Sequence, residues 1–460
     1  MKRWIALGLA LAVVFPAAVQ ADTAQSLSQV VSKASGALAA LRYTIEMETG
    51  TRTVMGQAVC IANDGKLGMF LTTALDPRLR IEYLKDFELF PPGVGSKAVK
   101  AKLLGIDPWT GLGFVQASEP RDWQVVAFSA TSGLKVGDQV FAIGLMMGDP
   151  ARPVYVGTAH VSTKLRVPGE LIYVAGRLTG TCSPVFATDG RAVGIVGRQL
   201  FLPFQMPTRG GLGTMRMRSQ QETAFFTPVE EFGHVLKSIP RGVTRLPWIG
   251  VNKFEAVSED LVELLDLKTP AVKIDDVIPD QPAAKAGLAK NDIIIEVNGK
   301  PIERMATSEL SVRNFVRKLM RMKAGEVLKL KVLSGRKTKE VSVPLAKMPK
   351  RPTEAERYFN KALGLLVREK VMLDEYLIQD DSARAPGLIV MGVVRTGPAA
   401  NAGLRGGDLI MNVNNQPVRT VKTYKQIVEG SLMTSQAAPI NFLVQRGAAQ
   451  PQLVTVKPAG

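Results

Sequence analysis

One block of sequence in the second half of the chain occurs twice, and it limits the architecture more than any other feature. Pro282-Ala283-Ala284-Lys285-Ala286-Gly287-Leu288, with Asp292-Ile293-Ile294 and Val297-Asn298-Gly299 behind it, returns 116 residues later. The second copy reads Pro398-Ala399-Ala400-Asn401-Ala402-Gly403-Leu404, then Asp408-Leu409-Ile410 and Val413-Asn414-Asn415. A repeat of that length describes two whole domains, not the small stacked units of a solenoid. The spacing predicts a short helix from Ala283, closed by Gly287 as a left-handed C-terminal cap, and a hairpin turn at Val297-Asn298-Gly299. A longer helix over Ser308 to Met322 puts Val312, Phe315, Val316 and Leu319 on one face, and the strand Val327 to Val332 alternates Leu328, Leu330 and Val332 against Lys329 and Lys331. In the second copy Tyr424, Ile427 and Val428 carry the helix face and Ile440, Phe442 and Val444 the strand. A linker rich in Pro and charge, Lys347 to Glu356, parts the copies.

Each copy resembles a PDZ domain of the circularly permuted bacterial type. PDZ domains bind an extended peptide as an added strand at a sheet edge and hold its terminal carboxylate on backbone N–H groups of an apolar-Gly-apolar loop. Glycine there lets the backbone approach the ligand with no side chain in the way. The resemblance assigns those loops to Trp248-Ile249-Gly250-Val251 and Leu363-Gly364-Leu365-Leu366, with Arg245 as a candidate carboxylate partner or a solvated arginine.

Upstream the chain has a different texture. Leu27, Val30, Val31, Ala34 and Leu38 recur at helical steps, predicting a helix over Ala24 to Leu41. From Tyr43 to about Ile239, short apolar runs such as Ala58 to Ile61, Met69 to Thr72, Gln139 to Leu145 and Ala192 to Val196 are parted by Gly, Pro, Asp and Asn. That pattern argues for a β sandwich or a pair of barrels. Thr179 to Gly197 reads as a hairpin: a tight small-residue turn, Pro184, a strand, the Asp189-Gly190 turn and a return strand.

That hairpin resembles the nucleophile hairpin of chymotrypsin-fold serine proteases, and most closely that of the HtrA (Deg) family. Three further landmarks follow the family's order: Phe70-Leu71-Thr72-Thr73-Ala74-Leu75, Gly105-Ile106-Asp107-Pro108-Trp109-Thr110-Gly111, and Phe225-Phe226-Thr227-Pro228-Val229. A serine protease needs a nucleophile, an imidazole to take its proton and a carboxylate to orient that imidazole. On the family's pattern the imidazole position holds Leu75, the carboxylate position Gly111, and the nucleophile position Thr181, or Cys182 if one residue is deleted. The two histidines, His160 and His234, fall in a strand and in an amphipathic segment and read as ordinary surface or core-edge residues. A threonine or cysteine without a base is poorly activated, and the glycine in the turn before the serine's partner N–H groups is lost as well, leaving the oxyanion pocket in question. The resemblance therefore implies a pseudoprotease. Its rivals are a peptidase using Thr181 or Cys182 and a regulatory partner of an active homologue. If both cysteine-bearing strands line one active-site region, Cys60 and Cys182 are either a disulfide or two buried thiols. Arg198 to Gln221, rich in Gly, Pro, Met and Arg, reads as a long loop.

Met1-Lys2-Arg3, an apolar run from Trp4 to Val14 and a small-residue exit at Val19-Gln20-Ala21 predict a secretory signal over 1–21. No later stretch reaches the ~18 apolar residues of a membrane span. The expected compartment is therefore the periplasm or the exterior. The net charge of +17 carries no basic helix, finger spacing or aromatic-interleaved sheet, so no nucleic acid is expected. Two cysteines and two histidines without matching spacing give no metal site, and no cofactor is expected. The fold class is mostly β: a chymotrypsin-like double β-barrel over 22–240 without an intact triad, then α+β PDZ domains over 244–346 and 357–458. The expected partners are unfolded or C-terminal peptide segments of envelope proteins, with trimers implied by the resemblance.

Overall fold

The computed structural model describes residues 27–197, 202–208, 211–217, 224–377, 385–435 and 438–458. The predicted signal, the start of the predicted first helix and parts of 198–221 lie outside them. Helix α1 spans 27–35. It stops short of Leu41 because the apolar run from Leu38 enters the first strand.

That strand, β1 (Leu38–Met47), opens a closed six-stranded barrel with β2 (Gly50–Asp64), β3 (Leu67–Thr72), β4 (Leu84–Phe90), β5 (Val99–Ile106) and β6 (Gly113–Ala117), in the order β1-β2-β3-β6-β5-β4. A second closed barrel joins β7 (Gln139–Leu145), β8 (Val154–Arg166), β9 (Glu170–Gly176), β10 (Pro184–Ala187) and β11 (Ala192–Val196) to a strand beyond a long excursion. The excursion is not the plain loop expected: β12 (Leu202–Thr208) and β13 (Gly211–Met217) pair in antiparallel register. Its prolines and glycines, which demote a strand reading, hid the pairing. Strand β14 (Phe225–Pro228) then closes the barrel, order β10-β11-β14-β9-β8-β7, and helix α2 (Val229–Lys237) follows.

The barrels meet on an apolar seam. Leu71 and Phe114 from the first and Ile195 from the second pack with Phe232 and Val235 of α2. Buried Gln57 links the two barrels: its Nε2 donates to Ser183 Oγ at 3.1 Å, and its Oε1 accepts from the Leu145 N–H at 2.8 Å.

The first repeat unit holds β15 (Pro247–Trp248), β16 (Val251–Ala256), α3 (Glu259–Leu264), β17 (Val272–Val277), α4 (Pro282–Lys285), β18 (Ile293–Val297), β19 (Lys300–Pro301), α5 (Ser308–Met320), β20 (Val327–Ser334), β21 (Lys337–Pro344) and β22 (Ala346–Lys347). Its main sheet runs β16-β17-β18-β20-β21. The second holds β23 (Arg357–Asn360), β24 (Leu365–Glu369), α6 (Asp374–Leu377), β25 (Leu388–Val393), α7 (Pro398–Asn401), β26 (Leu409–Val413), β27 (Gln416–Pro417), α8 (Val421–Thr434), β28 (Ile440–Gln445) and β29 (Gln452–Val456), in the sheet order β23-β24-β25-β26-β28-β29. The copies match in detail. Thr307 and Thr420 cap α5 and α8 through side-chain oxygens that accept from Leu310 and Thr423 N–H groups.

Candidate functional site: a cleft beside an apolar groove

The turn after β3 is pinned by hydrogen bonds before any side chain in the cleft is placed. Thr72 Oγ1 donates to the Gln57 carbonyl at 2.8 Å and accepts from the Ala74 N–H at 3.0 Å, while Tyr43 Oη donates to the Ala74 carbonyl at 3.0 Å. This fixes Leu75, which is fully buried. It lies so close over Gly113 that a Cβ there would come within 2.4 Å of it. Across the cleft, the turn between β5 and β6 closes on Asp107, whose carboxylate accepts from Thr110 N–H and Oγ1 at 2.7 and 2.6 Å. Gly111 takes φ +72° there and donates its N–H to the Asp107 carbonyl. An L-residue is strained in that conformation.

The turn into the β10–β11 hairpin separates Thr181, Cys182 and Ser183. Thr181 is exposed. Cys182 is buried with φ +70°, its thiol turned inward to the Leu71 carbonyl at 3.7 Å. Left-handed backbone suits glycine and strains a residue with a side chain. Ser183 is buried on Gln57. Of the two candidate nucleophile positions, Thr181 therefore faces solvent and Cys182 the interior. The two cysteines share one apolar cluster but are unbonded, so the bridge gives way to two buried thiols. Burial pushes the Cys60 thiol up to about 11.

Leu75 and Gly111 line one cavity of about 550 Å³ with Trp109, Ile195, Phe225 and Glu231; Thr181 is not among its lining residues. His160 is exposed on β8, and His234 is exposed on α2, where burial of its ring and then Arg321 lower its pKa. Neither lines that cavity. Among the described residues, no three His, Cys, Asp or Glu side chains gather as metal ligands, and no helix is long and apolar enough to cross a membrane.

A second cavity of about 620 Å³ runs between β16 and α5, lined by Ile249, Val251, Phe254, Val312, Val316 and Leu319. Trp109 belongs to both cavities, and neighbouring residues Val167 and Pro168 of the β8–β9 hairpin each line one. The apolar-Gly-apolar loop lies at its head. Trp248 and Ile249 are buried, and Gly250 takes φ +86°, with Gln281 packed where a Cβ would go. The Ile249 and Gly250 carbonyls accept from Ala283 and Ile278 N–H groups. In the second copy Leu363 and Leu365 are buried, Leu366 is half-buried and Gly364 takes φ +63°. There the Leu363 and Gly364 carbonyls accept from Ala399 and Val394 N–H groups. Arg245 turns away to the Met348 carbonyl at 3.5 Å.

One residue that sequence reasoning missed ties the cleft to the groove. Glu231 of α2 lines the first cavity and accepts from the Glu170 N–H at 2.9 Å. It also receives Arg317 of α5 and Arg321, just past the end of that helix, at 2.7 and 2.8 Å. On the far side, Glu303 joins Arg166 of β8 to Lys318 of α5. The helical spacing of Arg317 and Arg321 is visible in the sequence, but their shared partner lies 86 and 90 residues away.

Two barrels carrying the protease turns, followed by two PDZ units, define a trypsin-fold protein with peptide-recognition domains. Residues 56–195 match the trypsin-like peptidase domain family, and 249–345 and 389–434 each match a PDZ domain family. A probable periplasmic serine endoprotease DegP-like of Bartonella henselae is 29% identical over 344 residues, which are 72% of this chain and 63% of that relative. Its namesake in Pseudomonas fulva is 30% identical over 76% of this chain and 70% of the relative. The HtrA-type protease AlgW, solved with a decapeptide, shares the fold at TM-score 0.52 and 18% identity, over 70% of this chain and 99% of that one. The chain belongs to the HtrA/DegP-like family. It spans under two thirds of the Bartonella relative's length.

Proposed function

We propose that this protein is a non-proteolytic member of its family, a periplasmic or secreted factor that holds peptide segments or C-termini of other envelope proteins through its PDZ units. The observation that carries the reading is the pair Leu75 and Gly111: a buried aliphatic side chain at the base position, and a left-handed glycine with no side chain at the carboxylate position. Loss of either group typically costs several orders of magnitude in rate. The open groove between β16 and α5, headed by Ile249 and Gly250, supports the binding half of the reading. A relative-fold protease solved with a decapeptide makes a peptide the natural class of ligand. Assembly into trimers would add avidity to weak single contacts.

The test is casein degradation by the mature protein beside Thr181→Ala and Cys182→Ala, with aggregation of an unfolding client followed in the same samples. No cleavage together with suppressed aggregation is the expected result. Cleavage that disappears in one variant would overturn the reading and identify the nucleophile.

A further inference from the structure

The two PDZ units differ at the one edge where a peptide would add. In the first unit β16 pairs only with β17, and its outer edge faces the open groove against α5. The short strand before the loop, β15, goes elsewhere and pairs with β22. In the second unit the outer edge of β24 is taken. Strand β23 pairs along it in antiparallel register, Tyr358 opposite Val367, Phe359 opposite Leu366 and Asn360 opposite Leu365.

We infer that Arg357–Asn360 is an intramolecular ligand that fills the peptide groove of the second PDZ unit, so that the first unit is the chain's peptide port. The inference rests on the reading above that β24 and α8 form a peptide groove. Strand β23 runs toward the apolar-Gly-apolar loop, the direction in which an added peptide delivers its carboxyl end. Asn360 ends the strand there, 4% exposed, and its Oδ1 accepts the Leu363 N–H at 2.9 Å. A side-chain amide oxygen thus takes a loop N–H that would otherwise be offered to a terminal carboxylate. Two residues back, Tyr358 faces α8. Its ring stands edge-on to Tyr424 with centroids 6.1 Å apart, Lys425 lies over it, and its hydroxyl donates to Glu429 at 2.8 Å.

Pro247, immediately before the first loop, stands in β15 opposite Lys347 of β22, away from β16. The second copy has no proline there, and the turn 361–364 reverses the chain so that β23 folds back on β24. The linker leading into β23 is also held by the first barrel, through Arg80 to the Ala355 carbonyl and Arg351 to the Pro77 carbonyl.

Hydrogen exchange on the full chain without peptide tests the occupied edge directly. Protection across 357–368 should match that of the central strand β26, whereas exchange as fast as at the 251–254 edge overturns the inference. Titration with an acetylated decapeptide ending in Ala-Val-Phe with a free carboxylate is the second arm. One site per chain is expected, abolished by Gly250→Arg and unaffected by Gly364→Arg. The double variant Tyr358→Ala/Asn360→Gly should raise the count to two. Two sites in the unaltered chain, or a single site that Gly364→Arg removes, would refute it. Absence of binding in every sample counts against the function proposed above, while the exchange data still decide the state of β24.

Discussion

Leu75 carries the largest consequence of any single side chain. It is fully buried against the backbone of Gly113, so Leu75→Ala should cost about 2–5 kcal/mol and lower the first thermal transition of the barrels. Restoring the three groups, by Leu75→His, Gly111→Asp and Thr181→Ser together, should not restore casein cleavage. The imidazole would enter an apolar cluster, and the new carboxylate would sit on backbone at φ +72°. Measurable cleavage by that triple variant would show that the cleft retains a working geometry. Cys60 offers a pH test. Burial raises its thiol from 9.0 to about 11, so the folded state keeps its proton longer than the unfolded state does. Its contribution is complete below pH 9 and lost as the pH rises through 11. The denaturation midpoint should fall across that interval, and less so in Cys60→Ala.

At the scale of elements, α2 and α5 join the barrel cleft to the groove of the first PDZ unit. Glu231→Ala would leave Arg317 and Arg321, 13% and 26% exposed, facing each other without their shared carboxylate. A loss of about 1.4 kcal/mol there opens the junction about tenfold more often. Trypsin cleavage at Arg241 and Arg245 should speed up accordingly, and an unchanged cleavage rate would mean that the clasp does not hold the domains. Acid should act on the same junction. Glu303 is held down to about 2, foremost by its hydrogen bond from Lys318, so its stabilisation is present above about 4.5 and lost as the pH falls toward 2. These elements also show what a sequence makes legible. Strands β7 and β11 appear at the residues their apolar runs mark, and the glycine-capped α4 and α7 follow from the repeat, because each is set by local pattern. The pairing of β23 with β24 was invisible, since an edge strand's partner is set by the turn that joins them and leaves no periodic signal. The Glu231 clasp was equally hidden, because ion pairs between domains leave no periodic trace.

Over the whole molecule, two closed barrels and two PDZ units are arranged so that the open groove and the barrel cleft share a wall. Trp109, on the turn that presents Gly111, stands in both cavities, and Trp248 lines the groove from the loop side. Trp109 is 38% exposed, so its indole still meets water. A peptide seated along β16 would shield it, and the emission of the unlabelled protein should then shift to the blue and resist iodide quenching. Trp109→Phe should remove most of that response while leaving affinity within about threefold, a change of less than 1 kcal/mol. The wall between cleft and groove thus furnishes the chain with a built-in optical gauge of its own occupancy, readable in solution without a dye.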